Sequence, residues 1–380
     1  MLSRLLSLLV LLQALFGLRV VMRLLRTAGG ETINAASWQP SMFDSVSVIV
    51  PVLNERDRLG PCLEGLLAQG PEVSEILVVD GGSIDGTQGM VVATALRDPR
   101  VRLIDASPIP DGWNGKAWGL QAGLDRVRST WALTIDADVV PAPALVRSLL
   151  AHADTTGLDV LSVATRQELG DMGSGLLHPA MLTTLVYRFG IPGGRYRRID
   201  DVQANGQCFL ARRAALEEAG GFAAVRESIC EDITLARRLV ERGHEVGFFE
   251  SDSLISARMY PDWRATWRNW PRSLPMRDRY FGMSGALGLA EVLLVQALPL
   301  PLLGLSWLAS NGRGWLLRVN AALVLTRLGI LAGTARAYDN PPLTYWLSPL
   351  IDLPVAIRLI ASALRREHTW RGRVLVRGGS

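Results

Sequence analysis

The chain has 380 residues, with 40 basic and 36 acidic side chains, a formal net charge of +4 and an apolar fraction of 49%. This length accommodates one large domain or two ordinary ones. The apolar residues are concentrated toward both ends, around a charged middle, and the positive charge suits a protein on an anionic membrane face. No dense basic stripe with interleaved aromatic residues is present, so the composition gives no sign of nucleic-acid binding.

The cysteines and histidines predict neither a disulfide framework nor a zinc site. The three cysteines (Cys62, Cys208 and Cys230) are widely spaced and form no Cys-x-x-Cys pair. The histidines, at positions 152, 178, 244 and 368, show no metal-ligand spacing. We expect all seven to be structural or surface residues, and this cysteine usage fits a reducing compartment.

The first 22 residues are almost wholly apolar. This stretch is longer than the apolar core of a signal peptide, and no clean small-residue cleavage site follows it. We therefore expect an uncleaved membrane anchor over residues 1–26. Arg19, Arg23 and Arg26 favour a cytoplasmic position for the domain that follows.

Beyond the anchor, short apolar runs alternate with amphipathic segments. Residues 46–52 form a continuous, largely β-branched run, which is typical of a buried parallel strand. Residues 58–69 carry apolar side chains at helical spacing, and Gly70-Pro71 ends that helix. Further strands are predicted over 75–79, 101–104 and 131–135, and further helices over 87–97 and 115–128. This alternation predicts a parallel sheet with right-handed crossovers.

Polar residues follow the first two predicted strands. Pro51 and Glu55 lie at and just past the end of the first strand, and Asp80 ends the second, with Asp85 five residues further on. Ligands of open α/β sheets bind outside the carboxyl ends of the strands. A carboxylate fixed there can accept a hydrogen bond from the N3–H group of uracil, and glycines such as Gly86 allow the tight turn. The alternative is a plain Gly/Ser/Asp turn.

A run from Pro110 to Lys116 leads into the predicted helix over 115–128. Lys116 lies at the mouth of that helix, where backbone N–H groups and a cation together favour phosphate. The spacing is not that of a Walker loop, since no Gly-x-x-x-x-Gly-Lys-Ser/Thr run is present. The alternative is an ordinary surface lysine.

Two carboxylates, Asp136 and Asp138, follow the strand over 131–135. Residues two apart in an extended segment point the same way, so both carboxylates share one face. Their mutual repulsion is relieved by a nearby cation. Mg²⁺ or Mn²⁺, bound by one carboxylate and a diphosphate, would supply it. The alternative is a solvated loop.

Residues 202–232, in the second half of the charged central region, are expected to form the part of the site that binds an acceptor. Residues 202–213 are expected to form a loop, a strand and a helix start, and Gly206 could allow close approach of a sugar. Glu231 and Asp232 open a clear helix, where an acidic pair often serves only as a cap. Sugar transfer to a hydroxyl needs a base. No histidine is well placed for it, so Asp232 or Glu231 is the candidate.

Tryptophans and arginines alternate between Pro261 and Pro271. Trp263, Trp267 and Trp270 are predicted on one face of a short helix, with arginines on another. Tryptophan and arginine at such spacing are typical of a bilayer interface. Alternatively, Trp267 or Trp270 contacts the acceptor and an arginine lies near the leaving diphosphate.

Three apolar segments follow, over 283–309, 315–335 and 343–364, and each is long enough to cross a hydrocarbon core of about 30 Å. The last two carry charges, which in membrane spans face a bundle interior or a polar cavity. An amphipathic position along the interface is the alternative for either. Three spans would place the basic tail at 365–373 outside, against the positive-inside preference. One segment is therefore expected to be re-entrant or interfacial.

Taken in this order, the motifs over residues 45 to about 275 resemble family 2 glycosyltransferases with the GT-A fold. Within that family, Pro110–Lys116 and Trp370–Arg373 resemble membrane enzymes that glycosylate carotenoids, hopanoids and related lipids. The runs that carry the family resemblance are Val46–Glu55, Val78–Thr87, Gly115–Lys116, Asp136–Asp138, Gly206 with Arg212–Arg213, and Glu231–Asp232.

The resemblance implies a mostly parallel, Rossmann-like α/β domain and a one-step inverting transfer. The expected donor is a nucleotide-sugar, with UDP as the first expectation, and the expected acceptor is a lipid hydroxyl or carboxyl group. Asp138 would hold the Mg²⁺ or Mn²⁺ ion, and Asp232, with Glu231 beside it, would be the general base. The nucleotide pocket would be formed by Pro51, Glu55, Asp80, Asp85, Lys116 and Asp136.

We expect an anchor over 1–26, a GT-A domain over 45–275 and a C-terminal membrane region over 276–380. The protein would be a multi-pass protein of the cytoplasmic membrane, with its catalytic domain on the cytoplasmic side. Two departures from the family pattern matter: the Gln-x-x-Arg-Trp run of processive synthases is missing, and Asp80-Gly81 replaces the usual acidic doublet.

Three rival interpretations remain. A processive polysaccharide synthase shares the fold but needs a helix bundle able to pass a chain. A nucleotidyltransferase usually has a glycine-rich signature with basic residues near its first strand, which 46–56 lacks. An inactive membrane-bound binding or scaffold protein would have no need to keep Asp80, Asp136, Asp138 and Asp232 together.

Overall fold

The computed structural model describes residues 2–308, 314–365, 367–370 and 373–376. Most of the turn predicted at 311–314 lies outside the described residues. So do Arg366 and, from the Trp-Arg-Gly-Arg run, Arg371-Gly372.

Fourteen strands are present in the described part of the chain. They are β1 (Val46–Val52), β2 (Val73–Asp80), β3 (Val101–Asp105), β4 (Trp131–Ile135), β5 (Val139–Pro141), β6 (Val160–Ala164), β7 (Arg166–Glu168), β8 (Gly194–Tyr196), β9 (Cys208–Arg212), β10 (Val246–Glu250), β11 (Ile255–Ala257), β12 (Tyr338–Asp339), β13 (Glu367–Trp370) and β14 (Arg373–Val376).

The α-helices surround the strands and form both ends of the chain. They are α1 (Leu2–Thr27), α2 (Arg56–Leu67), α3 (Thr87–Ala95), α4 (Gly115–Leu124), α5 (Leu145–Thr156), α6 (Met172–Phe189), α7 (Arg213–Glu218), α8 (Glu231–Glu241), α9 (Trp263–Asn269), α10 (Gly282–Glu291), α11 (Pro299–Leu308), α12 (Gly314–Thr334) and α13 (Asp352–Leu364).

Eight strands form one sheet in the order β3-β2-β1-β4-β9-β6-β10-β8. Six of them run parallel, and β9 and β8 run antiparallel to their neighbours. Strand β1 is buried along almost its whole length between β2 and β4, as its β-branched run predicts. The predicted α/β class and the mostly parallel sheet are confirmed.

Apolar side chains cover both faces of this sheet. On one face, residues of α2, α3 and α5, such as Leu63, Val91 and Leu149, pack against it. On the other face, residues of α4 and α8, such as Leu120 and Leu235, do the same. Burial on both faces holds the strand ends, and the loops that follow them, in fixed positions.

A second sheet, with the order β12-β7-β11-β5, lies beside the carboxyl end of β4. Strand β5 follows Asp138 directly, so this sheet fixes the far side of the two-aspartate loop. Strand β12 comes after helix α12, and its Tyr338 pairs with Gln167 of β7. The C-terminal region thus contributes a strand to the sheet that borders this loop.

Four helical segments are long and apolar enough to cross a membrane: Arg4–Thr27, Gly282–Ser306, Gly314–Ala337 and Leu343–Leu364. The second contains a π-helical stretch over Val292–Ala297. The fourth begins as a 3-10 helix over Leu343–Ile351, packed on α6, before α13 continues it.

The two carboxylates of these segments, Glu291 and Asp352, are buried and paired with arginines. Arg327 Nε lies 2.8 Å from Asp352 Oδ2, and both side chains are almost fully buried. Glu291, fully buried, makes ion pairs with Arg19 and Arg23 of α1. The buried Glu291 therefore binds the C-terminal region to two arginines of the N-terminal helix, and a buried carboxylate is costly to separate from its partners.

Two glycines provide a test of the packing between sheet and helices. A Cβ atom on Gly123 of α4 would lie 2.4 Å from Ile49 Cγ2, whereas a Cβ on Gly89 of α3 would meet no atom within 4 Å. We expect Gly123→Ala to destabilise the protein by about 1–3 kcal/mol through overpacking.

The matched control, Gly89→Ala, should stabilise the protein by up to about 1 kcal/mol because alanine favours a helix. Thermal unfolding of both full-length variants in detergent measures the difference. Equal midpoints for the two variants would contradict the close approach of α4 to β1.

Candidate active site

A cavity of about 710 Å³ opens at the carboxyl ends of β1 and β4. Its size is typical of a small-molecule site. Pro51 of β1, Asp136 and Asp138 after β4, Gly206 before β9 and Asp232 at the start of α8 all line it. The loops that carry these residues converge because their strands are neighbours in the sheet.

Lys116 is the only lysine in the sequence, and it lies at the centre of the acidic residues of this cavity. Its Nζ is 2.7 Å from Asp136 Oδ1 and 3.1 Å from Glu231 Oε1. Asn114 caps α4 by accepting from the Lys116 backbone N–H, which fixes the lysine at the helix start. Although burial opposes the charged form, the neighbouring carboxylates raise the pKa of Lys116 well above its usual value.

Asp138 has unused hydrogen-bonding capacity. Its Oδ1 atom is buried and has no hydrogen-bond partner among the described residues. Its Oδ2 atom lies 3.7 Å from Arg58 Nη1. Burial, followed by repulsion from Asp136, raises the pKa of Asp138 to about 7. Such a carboxylate gains most from a cation, since a nearby positive charge favours its ionised form.

The side chains present fit a divalent cation that binds together with a diphosphate. Within the described ranges, no group of three or more His, Cys, Asp or Glu residues is arranged to hold a metal alone. Mg²⁺ is commonly bound by one or two carboxylates plus substrate phosphates. Asp138 would be the main protein ligand, with Asp136 beside it.

Asp232 lines the cavity beside Glu231 of the acidic cluster. Its Oδ2 accepts the Gly206 backbone N–H at 2.6 Å, and its Oδ1 accepts that of Ile233 at 2.8 Å. Burial, with repulsion from Glu231, raises the pKa of Asp232 to about 6. A carboxylate with such a pKa can accept a proton near neutral pH.

Gly206 is required for the close approach of these groups. A Cβ atom at this position would lie 2.9 Å from Lys116 Nζ and 3.1 Å from Asp232 Oδ2. Because it lacks a side chain, Gly206 leaves room for both the Lys116 ammonium group and the Asp232 carboxylate.

Asp80 and Asp85, which were predicted to form part of the nucleotide pocket, are not among the described residues that line the cavity. Asp80 is fully buried, and its carboxylate accepts from the Gly82 and Ser83 N–H groups and from Gln88 Nε2. Asp85 accepts from Thr87 and from the Arg56 N–H. Both carboxylates are used within the loop after β2. They fix this loop, of which Gly81 lines the cavity.

The other predicted donor-side residues line the cavity. Pro51 lies on its wall, and Glu55 Oε2 is 2.5 Å from Arg58 Nη2. Arg58 was not among the predicted site residues. The signal for it was its position three residues after Glu55, on the first turn of α2, which places both side chains on one helix face.

The far end of the cavity is apolar and is formed partly by α6. Trp270 lines it, with the His178 ring stacked on the indole at a centroid distance of 4.3 Å. Trp263 and Trp267 lie four residues apart on α9, and Trp270 begins the 3-10 helix over Trp270–Arg272 that follows directly. Trp263 is exposed, whereas Trp270 is buried and lines the cavity, so Trp270 remains the candidate for contact with an acceptor.

Residues 47–220 match the family model described as glycosyl transferase family 2. Succinoglycan biosynthesis protein ExoO of Rhizobium meliloti (strain 1021) is 33% identical over 128 residues, which cover 32% of this chain and 35% of that protein. Probable glycosyltransferase YdaM of Bacillus subtilis (strain 168) is 23% identical over 244 residues, covering 63% and 57%. The chain thus matches a third to about three fifths of these relatives' own length.

Among solved structures, mannosyltransferase PcManGT from Pyrobaculum calidifontis, in complex with GDP-Man and Mn²⁺, has a similar fold. The TM-score is 0.56 at 18% sequence identity, and the alignment covers 93% of this chain and 99% of that one. The likeness confirms the predicted GT-A fold, with apolar helices at both ends of the chain.

The pairing of Lys116 with acidic residues predicts a pH-dependent loss of stability in Lys116→Met. The substitution leaves Asp136 and Glu231 buried without their counter-charge. We expect a loss of about 3–5 kcal/mol at pH 8. The deficit should shrink at pH 5, because the variant's folded state, with its raised carboxyl pKa values, binds more protons than the unfolded chain.

Denaturant unfolding at the two pH values measures this effect. Arg97→Met, which breaks the exposed pair with Glu64, is the matched control and should show no comparable pH dependence. A Lys116→Met variant with wild-type stability at pH 8 would contradict the buried charge cluster.

Proposed function

This chain belongs to the family 2 glycosyltransferases, and we propose that it transfers a sugar from a nucleotide-sugar to a lipid hydroxyl or carboxyl group with inversion. One observation carries the proposal: Asp138, with its unpartnered buried oxygen, and Asp232, with its raised pKa, line the same cavity. That cavity joins the strand ends of the GT-A sheet to a helix packed on the membrane-type segments.

The donor half is formed by Pro51, Glu55, Lys116, Asp136 and Asp138. We propose that the nucleoside diphosphate lies here, with Mg²⁺ or Mn²⁺ on Asp138. The similar mannosyltransferase was solved with a nucleotide-sugar and Mn²⁺, which supports this choice of ligands. UDP is the first expectation for the carrier, and Asp80 and Asp85 would act indirectly, by fixing the loop after β2.

The transfer would proceed in one displacement. Asp232 takes the proton of the acceptor hydroxyl as its oxygen attacks the anomeric carbon, on the side opposite the leaving diphosphate. Glu231 is held by Lys116, so Asp232 is the base and Glu231 a supporting residue. A divalent cation, when bound, neutralises charge on the leaving diphosphate. Lys116 lies close enough to Asp136 and Glu231 for its positive charge to offset their negative charges during the whole transfer.

The acceptor half supports a lipid. Leu182, Leu185 and Val186 of α6 line the cavity, and so do Thr334 and Ala337 at the end of the third apolar segment. An apolar acceptor could enter along this wall. The resemblance to enzymes that glycosylate carotenoids and hopanoids also supports a lipid acceptor. Sphingolipid and polyprenyl-type acceptors are further candidates, because they too combine an apolar body with a group that can accept a sugar.

We propose that the anchor over 1–26 and the region over 276–380 hold the domain over 45–275 on the cytoplasmic side of the cytoplasmic membrane. The four long apolar segments support this position. A processive polysaccharide synthase is the second candidate, since two relatives are named for succinoglycan biosynthesis. A single added sugar on the product, as opposed to a ladder of longer ones, distinguishes the two.

Substitution of the two key carboxylates tests the proposal. Asp138→Ala and Asp232→Asn should each lower transfer from a labelled nucleotide-sugar to a membrane lipid extract by at least about a hundredfold. Asp138→Ala should also weaken metal-dependent nucleotide binding, whereas Asp232→Asn should leave it intact. Mass analysis of new lipids and calorimetric nucleotide binding measure the two effects.

Asp154→Asn, on the exposed face of α5, serves as the matched control and should transfer at the wild-type rate. Wild-type turnover by Asp138→Ala or by Asp232→Asn would overturn the assignment. Nucleotide binding by the wild type with no turnover on any acceptor would favour the inactive binding protein.

The raised pKa of Asp232 predicts the pH profile. Its carboxylate must be ionised to act as a base, and burial with Glu231 nearby raises its pKa to about 6. We therefore expect kcat/KM to fall about tenfold per pH unit below pH 6 and to level off above pH 7. Rates between pH 4.5 and 8.5 at saturating metal test this, and a flat profile would contradict a base at Asp232.

A further inference from the structure

Two buried amide side chains line the same cavity as the candidate base. Gln167 and Gln207 are 7% and 4% exposed, and both line the cavity. Gln207 follows Gly206, whose N–H group is bound by Asp232. Buried polar groups that face a ligand cavity usually serve the ligand, because leaving them unpaired is costly.

The hydroxyl of Thr165 fixes the orientation of both amides. Thr165 Oγ1 donates to Gln207 Oε1 at 2.6 Å and accepts from Gln167 Nε2 at 2.7 Å. Asn205 Nδ2 donates to the same Gln207 oxygen at 3.2 Å. Gln207 therefore turns its oxygen toward Thr165, and Gln167 turns its NH₂ group toward it.

One donor and one acceptor are left over. Gln207 Nε2 and Gln167 Oε1 make no hydrogen bond within the described part of the chain. Neither atom is fully enclosed by protein. Both therefore remain accessible on residues that line the cavity. A hydroxyl group donates one hydrogen bond and accepts others, so this pair suits a hydroxyl.

The charges of the cavity are distributed unevenly. Among the described residues that line it, the cations are Arg58, Lys116 and Arg272. Arg58 and Lys116 are paired with donor-side carboxylates. Arg272 influences the pKa of the buried Tyr260 hydroxyl, as do the donor-side residues Arg58 and Asp138, so Arg272 lies in the neighbourhood of those residues.

Among the described residues that line the cavity, no cation is assigned to the acceptor half to match an ionised acceptor. The buried Arg188 nearby donates to the backbone carbonyls of Thr184, Leu274 and Pro275. Arg336 is paired with Glu250, which lines the cavity. Burial lowers the pKa of His178 to about 3, so its ring stays neutral. A lipid phosphate or carboxylate here would face Asp232 and Glu250 without a counter-charge of its own.

We propose that Gln167 and Gln207 bind the acceptor's hydroxyl beside Asp232, and that the acceptor is an uncharged, hydroxyl-bearing lipid and not a lipid phosphate or carboxylate. The inference rests on the proposed transfer to lipid and narrows its acceptor. It also accounts for the base, since an ionised phosphate or carboxylate would need none.

The first test uses the full-length protein in detergent with Mn²⁺ and labelled nucleotide-sugars. A membrane lipid extract is separated by anion exchange into a neutral and an anionic fraction, and each is offered as acceptor. We expect label in the neutral fraction at least about tenfold above the anionic one. Label mainly in the anionic fraction overturns the inference and leaves the proposed function standing. Label in neither fraction, with nucleotide binding intact, contradicts the lipid acceptor itself.

The second test locates the subsite, with the neutral fraction as acceptor. Gln207→Leu and Gln167→Leu should each raise the acceptor KM at least about tenfold, with the nucleotide-sugar KM within about twofold of wild type. Thr165→Val should act like them, and Thr165→Ser, which keeps the hydroxyl, should restore wild-type values. Gln39→Leu, at an exposed position, controls for the loss of an amide.

The pattern of KM values decides the assignment even if one variant folds poorly. A wild-type acceptor KM in both glutamine variants overturns it. So does a raised nucleotide-sugar KM with the acceptor KM unchanged, which would place the amides on the donor sugar.

Discussion

The balance of charge around Lys116 is the constraint on which the rest of the site depends. Carboxylates in a half-enclosed cavity repel one another, and one ammonium group holds Asp136 and Glu231 at 2.7 and 3.1 Å. Asp138 is left without a comparable partner, since Arg58 is 3.7 Å away. In the proposed function, a nucleotide-sugar that brings its own divalent cation would balance the charge of Asp138. Donor binding and metal binding would then be coupled.

Much of this arrangement was predictable from local sequence patterns. The β-branched run of β1 and the paired aspartates after β4 are local signals, and strand ends of a parallel sheet must meet at one edge. The orientation of Asp80 was not predictable in the same way. The loop glycine and serine that would allow contact with a nucleotide also present their N–H groups to Asp80. Whether such a carboxylate turns outward or into its own loop depends on geometry that composition does not encode.

The polar wall of the acceptor half was not predictable, for a different reason. Thr165 joins β6 to β7, Gln167 lies on β7, and Gln207 lies some forty residues further along the chain. Their contact exists only because β6 and β9 are neighbours in the large sheet. No periodicity marks such a set, since each residue alone has the pattern of an ordinary buried polar side chain.

The predicted boundary near residue 275 separates the charged domain from the C-terminal apolar region. Residues from both sides of this boundary line the acceptor half of the cavity. Strand β12, which follows the third apolar segment, pairs with β7 at Gln167. The hydroxyl of its Tyr338 lies 3.0 Å from His178 Nδ1, on the helix that forms the apolar wall. Through Tyr338, the membrane-type region therefore contacts both β7 and α6, the two elements that would flank a bound acceptor. An enzyme whose acceptor comes from the bilayer needs that place to stay aligned with the helices, and a shared strand is a direct way to achieve it.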